Sequence, residues 1–128
     1  MERYELLDIR KYWEVILKQD TQAMKYYFRP DAQIRWHNTN ELFSVDEFIR
    51  ANCEYLGEWC GELEKLIEKD DLVICVVHVY SKDDLLHFHV TSFIKTNGGL
   101  IQSIDEYWGD DGEAPQWRLD KKIGRKIK

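Results

Sequence analysis

No run of apolar residues in this chain approaches the roughly 18 that a membrane-spanning helix needs. The first residues, Met1-Glu2-Arg3-Tyr4-Glu5, carry charge where a secretory signal requires an apolar stretch. Cysteine is scarce. Cys53, Cys60 and Cys75 are an odd set without the paired spacing of a metal motif, which fits reduced thiols in a cytoplasm. Basic charge is also short: the net charge is −6, which argues against nucleic acid as a main partner. Internal repeats and low-complexity segments are absent. The expectation is a cytoplasmic protein that engages neither membrane nor nucleic acid.

What is present is enough chain for one domain. The 128 residues are 44% hydrophobic and 13% aromatic, a composition that excludes disorder and suits a bulky interior. Charge is uneven. Residues 118–128 hold six basic residues and one acidic residue, a local +5 that leaves −11 on residues 1–117. The reading is a domain over 1–117 followed by a solvated basic tail over 118–128.

Periodicity divides the chain into helices first and strands later. Leu6, Ile9, Trp13, Ile16 and Leu17 follow a 3.6-residue period and predict a helix over 4–19. Asp20 caps a shorter helix carrying Ala23, Met24, Tyr27 and Phe28, which Pro30 closes, and a strand follows over 32–37. Ser44-Val45-Asp46-Glu47 is a capping box, with Phe43 and Phe48 at staple positions, so 44–52 is predicted helical. Residues 60–69 are ambiguous between helix and strand. Strands over 72–80, 85–96 and 100–108 complete an antiparallel meander.

Alternation assigns faces. His87, His89 and Thr91 share one side of their strand; Ile104, Glu106 and Trp108 share one side of theirs. A two-residue turn at Gly98-Gly99 sets Glu106 opposite Thr91 and Trp108 opposite His89, and a four-residue loop at 81–84 sets His78 opposite His87. On that register, which a bulge would scramble, His78, His87, His89, Thr91, Glu106 and Trp108 lie on one face of three adjacent strands, and Asn38, His78, His89 and Glu106 line one cavity with Trp36 and Trp108. Against it stands the opposite face, with Val73, Cys75, Val77, Val79, Phe88, Val90 and Ile94. It is the more apolar, and on pattern alone it is the core while the histidines face water.

The order of elements, with Trp36-His37-Asn38-Thr39-Asn40-Glu41, Thr91-Ser92-Phe93 and Asp105-Glu106-Tyr107-Trp108, resembles the nuclear-transport-factor-2-like superfamily over about residues 5–117. SnoaL-like polyketide cyclases, ketosteroid isomerase and limonene epoxide hydrolase belong to it. The resemblance implies an α+β cone, a strongly bent antiparallel sheet wrapped round about three N-terminal helices, with an apolar pocket at the wide end. It also implies a homodimer across the convex face, which accounts for apolar residues on both faces and favours the histidine face as the pocket side. Asp105-Glu106-Tyr107-Trp108 is similar to the epoxide hydrolase's last-strand acid motif and Trp36-His37-Asn38 to its water-holding Tyr-x-Asn. Its Arg-x-Asp is replaced by Val76-Val77-His78, which removes the electrophilic half of that mechanism.

The candidate catalytic residues are therefore Glu106, His78 and Asn38, with Trp36, His89, His87, Thr91, Trp108 and Trp59 binding a small apolar or aromatic ligand. Desolvation between Ile104 and Trp108 raises the Glu106 carboxyl toward general acid–base use. His87-x-His89 with His78 and Glu106 also offers a metal set, but no metal and no cofactor is the primary expectation. Two functions stay open: acid–base catalysis of isomerase or hydrolase type, and non-catalytic binding. Catalysis requires Glu106 open to the cavity; a structural role requires it hydrogen-bonded and closed off.

Overall fold

The first amphipathic segment is helical over Ile9–Lys18 (α1) in the computed structural model, which describes residues 6–128. The helix starts later than periodicity predicts because Asp8 caps it, its carboxylate accepting from the Lys11 amide at 3.2 Å. Positions 4 and 5 lie outside the described residues. Asp20 caps Thr21–Lys25 (α2) in the same way, at 3.0 Å from the Ala23 amide. Tyr27 and Phe28 fall beyond α2. Phe28 opens strand β1 (Phe28–Trp36), and Pro30 lies inside that strand instead of closing the helix. The ladder from β1 is irregular between Phe28 and Gln33, which is where a residue without an amide hydrogen is tolerated.

A short strand, β2 (Glu41–Phe43), pairs with β1 and leads into α3 (Val45–Cys53). Both halves of the capping box form: the Glu47 amide donates to Ser44 Oγ at 3.3 Å, and the Ser44 amide donates to Glu47 Oε1 at 2.9 Å. The ambiguous stretch is a strand, β3 (Trp59–Lys69). It continues into β4 (Leu72–Ser81), β5 (His87–Asn97) and β6 (Leu100–Asp110), an antiparallel meander, and a short helix α4 (Gln116–Asp120) follows.

The six strands form one curled sheet in the order β2-β1-β6-β5-β4-β3. It is mixed, because β1 lies parallel to β6. α1 packs on β3 and α3 on β1, so the helices cover a single face. That inner face carries Ile34, Cys75, Val77, Val90, Ile94 and Ile104, all buried against Tyr12, Trp13 and Phe48 of the helices. The pattern-based reading of the core is the one realised. Val77 and Val79 belong to it, not to the outer face.

Two bulges decide which side chains reach which face. Asn97 pairs with Leu100 across Gly98-Gly99, both at positive φ (63° and 83°), so the two-residue turn forms as predicted. The register then slips at Gln102, and Ser92 meets Glu106 where unbroken pairing would set Thr91 there. A one-residue slip turns every later side chain over. In β3 the extra residue is Glu64, between Leu63 (opposite Val77) and Lys65 (opposite Val76).

Candidate functional site

The inner face grades from apolar to aromatic toward one end of the sheet, and there the helices leave a gap. Trp36 ends β1, Trp59 begins β3, and Phe88 and Trp108 lie diagonally across neighbouring pairs at the same end of β5 and β6. Trp13, Ile16 and Leu17 of α1 and Ala51 of α3 close the other side. The cavity, open on one side, measures about 380 Å³. That is near the lower end of the roughly 300–1,000 Å³ usual for small-molecule sites. Four indoles form most of its wall. Its aromatic edges interlock, with Trp36 and Trp108 at 6.2 Å between centroids, Phe88 and Trp108 at 6.3 Å, and Trp59 and Phe88 at 6.0 Å.

Polar groups are few and most are committed to the frame. Gln19 Nε2 donates to the carbonyls of Asn52 and Tyr55, and Asn52 Nδ2 to that of Ile16. Asn38 Oδ1 accepts from the Trp108 amide at 3.0 Å, carrying the β1–β6 ladder one step past the end of β1. Among the described residues Asp110, opposite Phe88, supplies the one charged side chain of the lining, with no lysine, arginine or histidine beside it.

Glu106 is on the inner face but behind this wall. It is 2% exposed and does not line the cavity. Ser92 Oγ donates to its Oε2 at 2.5 Å and Trp36 Nε1 to its Oε1 at 3.0 Å. Trp108 packs on the same carboxyl, its own Nε1 buried and short of hydrogen-bond geometry. Burial pushes the Glu106 carboxyl above the ordinary glutamate range, with Ser92 and Trp36 opposing part of that rise. The group is hydrogen-bonded and closed off. That is the arrangement of a carboxyl that fixes the Trp36 indole from behind.

No protein-family model matches the sequence, and no curated protein matches it. Solved structures do. A Kribbella flavida protein provisionally named a ketosteroid isomerase superposes with a TM-score of 0.76 at 18% identity, over 94% of this chain and 87% of its own. A nuclear-transport-factor-2-like protein of unknown function from Burkholderia xenovorans gives 0.74 at 16% identity, over 94% and 92%. A Shewanella denitrificans protein provisionally named a SnoaL-like polyketide cyclase gives 0.65 at 12%, over 79% and 87%. The fold is the nuclear-transport-factor-2-like fold.

Within that fold the sequence-predicted residues divide into three places. Trp36, Asn38, Trp59 and Trp108 line the cavity. Glu106 sits behind it. His78, His87, His89 and Thr91 are on the outer face, so the expected single cluster does not form. Two register changes explain this. The β4–β5 loop is longer than 81–84, so His78 faces His89 and Tyr80 faces His87; that shift of two residues keeps the histidines together. The bulge at Gln102 then separates them from Glu106 and Trp108, and a metal set containing Glu106 is excluded with it.

Sequence reasoning missed several members of the site. Trp13 and Leu17 read as the apolar face of a helix, and Ala51, Gln19, Tyr55 and Asp110 carry no motif. Asp110 was readable only after the bulge, as the inward position two residues beyond Trp108.

Proposed function

We propose that the chain binds a small aromatic or apolar molecule in the indole-walled cavity, without chemistry by Glu106. The observation that carries this reading is the closure of Glu106 behind Trp36 and Trp108, each of its oxygens already accepting a hydrogen bond. A general acid or base must reach the reacting proton directly or through one water. Glu106 instead anchors the Trp36 ring of the wall.

The lining also selects the ligand's polar end. Indole faces attract a desolvated cation more strongly than other aromatic side chains do. Asp110 adds a negative charge at the mouth, and among the described residues no basic side chain in the lining opposes it. A one- or two-ring molecule bearing an amine fits this surface better than the matching acid. The apolar residues on the outer face, Phe93 and Tyr107 among them, are exposed and fit a two-fold dimer.

The test uses a pair of probes with one ring and opposite charge, 1-naphthylmethylamine and 1-naphthylacetate, followed by the indole N–H resonances. Five tryptophans report, four in the cavity and Trp117 in α4. The amine should shift the four and leave Trp117 in place, and the acid should bind at least tenfold more weakly. Ala51→Phe fills the cavity from α3 and should abolish the shifts. Equal affinity for the two probes removes the charge preference; shifts that survive Ala51→Phe remove the cavity as the site.

A further inference from the structure

Three of the chain's four histidines meet on the outer face of the sheet, away from the cavity, beside Asp111. His78 Nε2 lies 2.8 Å from His87 Nδ1 and 3.8 Å from Asp111 Oδ2. The donor atoms of the three residues all fall within 4.8 Å of one another. Ligand atoms bound tetrahedrally at about 2.0–2.1 Å sit about 3.3 Å apart, so this spacing brackets what one ion requires. We propose that His78, His87 and Asp111 form a binding site for a divalent transition-metal ion of the zinc type, with water completing the coordination.

What separates this group from a chance gathering is the support behind each donor. His87 Nε2 faces two acceptors, Asp84 Oδ1 at 2.8 Å and the Asp84 carbonyl at 3.1 Å. Both positions demand a proton on Nε2, which leaves the Nδ1 lone pair directed at His78. Asp84 is held for this in a left-handed conformation (φ 67°) within the β4–β5 loop. A carboxylate behind a ligating imidazole, fixing its tautomer and ring orientation, recurs throughout metal sites.

Asp111 is held in a similar way. Its Oδ1 accepts from His89 Nδ1 at 2.6 Å, which leaves Oδ2 as the oxygen near His78. His89 Nε2 faces Glu64 Oε1 at 3.2 Å, and Glu64 is the bulged residue of β3. Both ring nitrogens of His89 thus face carboxylates. Engaged on both sides, the ring orients Asp111 and is not counted among the ligands. The bulges at Glu64 and Gln102 thus assemble this cluster on the face opposite the cavity.

In the absence of an ion His78 Nε2–H donates to His87 Nδ1. To ligate through Nε2, His78 takes the tautomer that carries its proton on Nδ1. The carboxylates of Asp84, Asp111 and Glu64 stand round the cluster against the Lys128 ammonium 3.7 Å from Glu64, leaving negative charge for the ion to neutralise. His78, His87 and Asp111 are partly exposed, at 16%, 31% and 31% of their side chains, so an ion has a path in. The bound ion would clip β4, the start of β5 and the segment leaving β6 to one another.

The experiment titrates Zn²⁺ alone into the tag-free chain by calorimetry and records thermal unfolding with and without the ion. One equivalent should bind, and the unfolding midpoint should rise with Zn²⁺ concentration. His78→Ala and His87→Ala should each weaken binding more than tenfold, and Asp84→Asn by about tenfold through loss of ring orientation. Cys60→Ser and Glu106→Gln should bind as the parent does. Unfolding of each variant in chelator confirms that it is folded. Binding that survives His87→Ala but is lost in Glu64→Gln would overturn this donor set. Loss in Cys60→Ser, or no binding up to millimolar Zn²⁺, would overturn the site.

Discussion

Ser92→Ala is the most informative single change in the interior. Ser92 is fully buried, and its hydroxyl is one of two hydrogen-bond donors to Glu106. A hydrogen bond to a charged group contributes about 1.5–3 kcal/mol, and stranding its buried acceptor costs a comparable amount. The methyl left by alanine creates almost no cavity, so the hydrogen bond dominates. We expect a loss of about 2 kcal/mol at the alkaline end of the folded range, or roughly 6–10 °C in Tm for a chain of this length. The cost should depend on pH. The Ser92 bond favours the carboxylate, so its loss matters most where Glu106 is ionised and falls to about 1 kcal/mol at the acid end of the folded range. Urea unfolding at the two pH values measures both figures. In a Glu106→Gln background the Ser92→Ala cost should shrink, giving a coupling energy of about 1 kcal/mol or more. A cost under about 0.5 kcal/mol at both pH values, with no coupling, would mean that Glu106 does not depend on Ser92 and that the anchoring argument is wrong.

Glu106→Gln on its own tests the sign of the burial effect. Because the folded carboxyl is raised above its unfolded value, parent stability should fall as pH rises from the unfolded glutamate value through the folded one, and this variant should flatten that fall. Ser44→Ala removes the side chain that caps α3 and should cost about 1 kcal/mol by urea midpoint, whereas Ser44→Gly should cost only a few tenths. Sedimentation at micromolar concentration should show a dimer, and Phe93→Lys should convert it to monomer with the unfolding midpoint of the isolated chain little changed; a parent that sediments as monomer removes the dimer.

The α3 helix, the meander and the nuclear-transport-factor-2-like fold were legible because their signals are local: a capping box, Gly98-Gly99, and alternation in residues 72–80. The assignment of faces was not, because it rests on bulges that change parity without changing composition. A trace of each was present. Ile101 and Ile104 are both fully buried, three residues apart, which an unbroken strand cannot achieve. Leu63 and Leu66 have the same spacing across Glu64, and this is why residues 60–69 showed neither a helical stripe nor an alternating one. The parallel pairing of β1 with β6 had no local signal at all. It follows from the path of the chain through α3, and it brings Trp36 beside Glu106. The cavity wall likewise gathers Trp13, Trp36, Trp59 and Trp108 from four separate elements, so no motif in the sequence contains it.

A crystal structure of the chain with 1-naphthylmethylamine tests the central claim most directly. The account predicts the naphthalene ring between Trp36, Trp59 and Trp108, the amine at Asp110, and Glu106 still bound to Ser92 and Trp36 with no contact to the probe. A Glu106 carboxylate turned into the cavity and touching the amine, or a probe seated elsewhere on the chain, would contradict it.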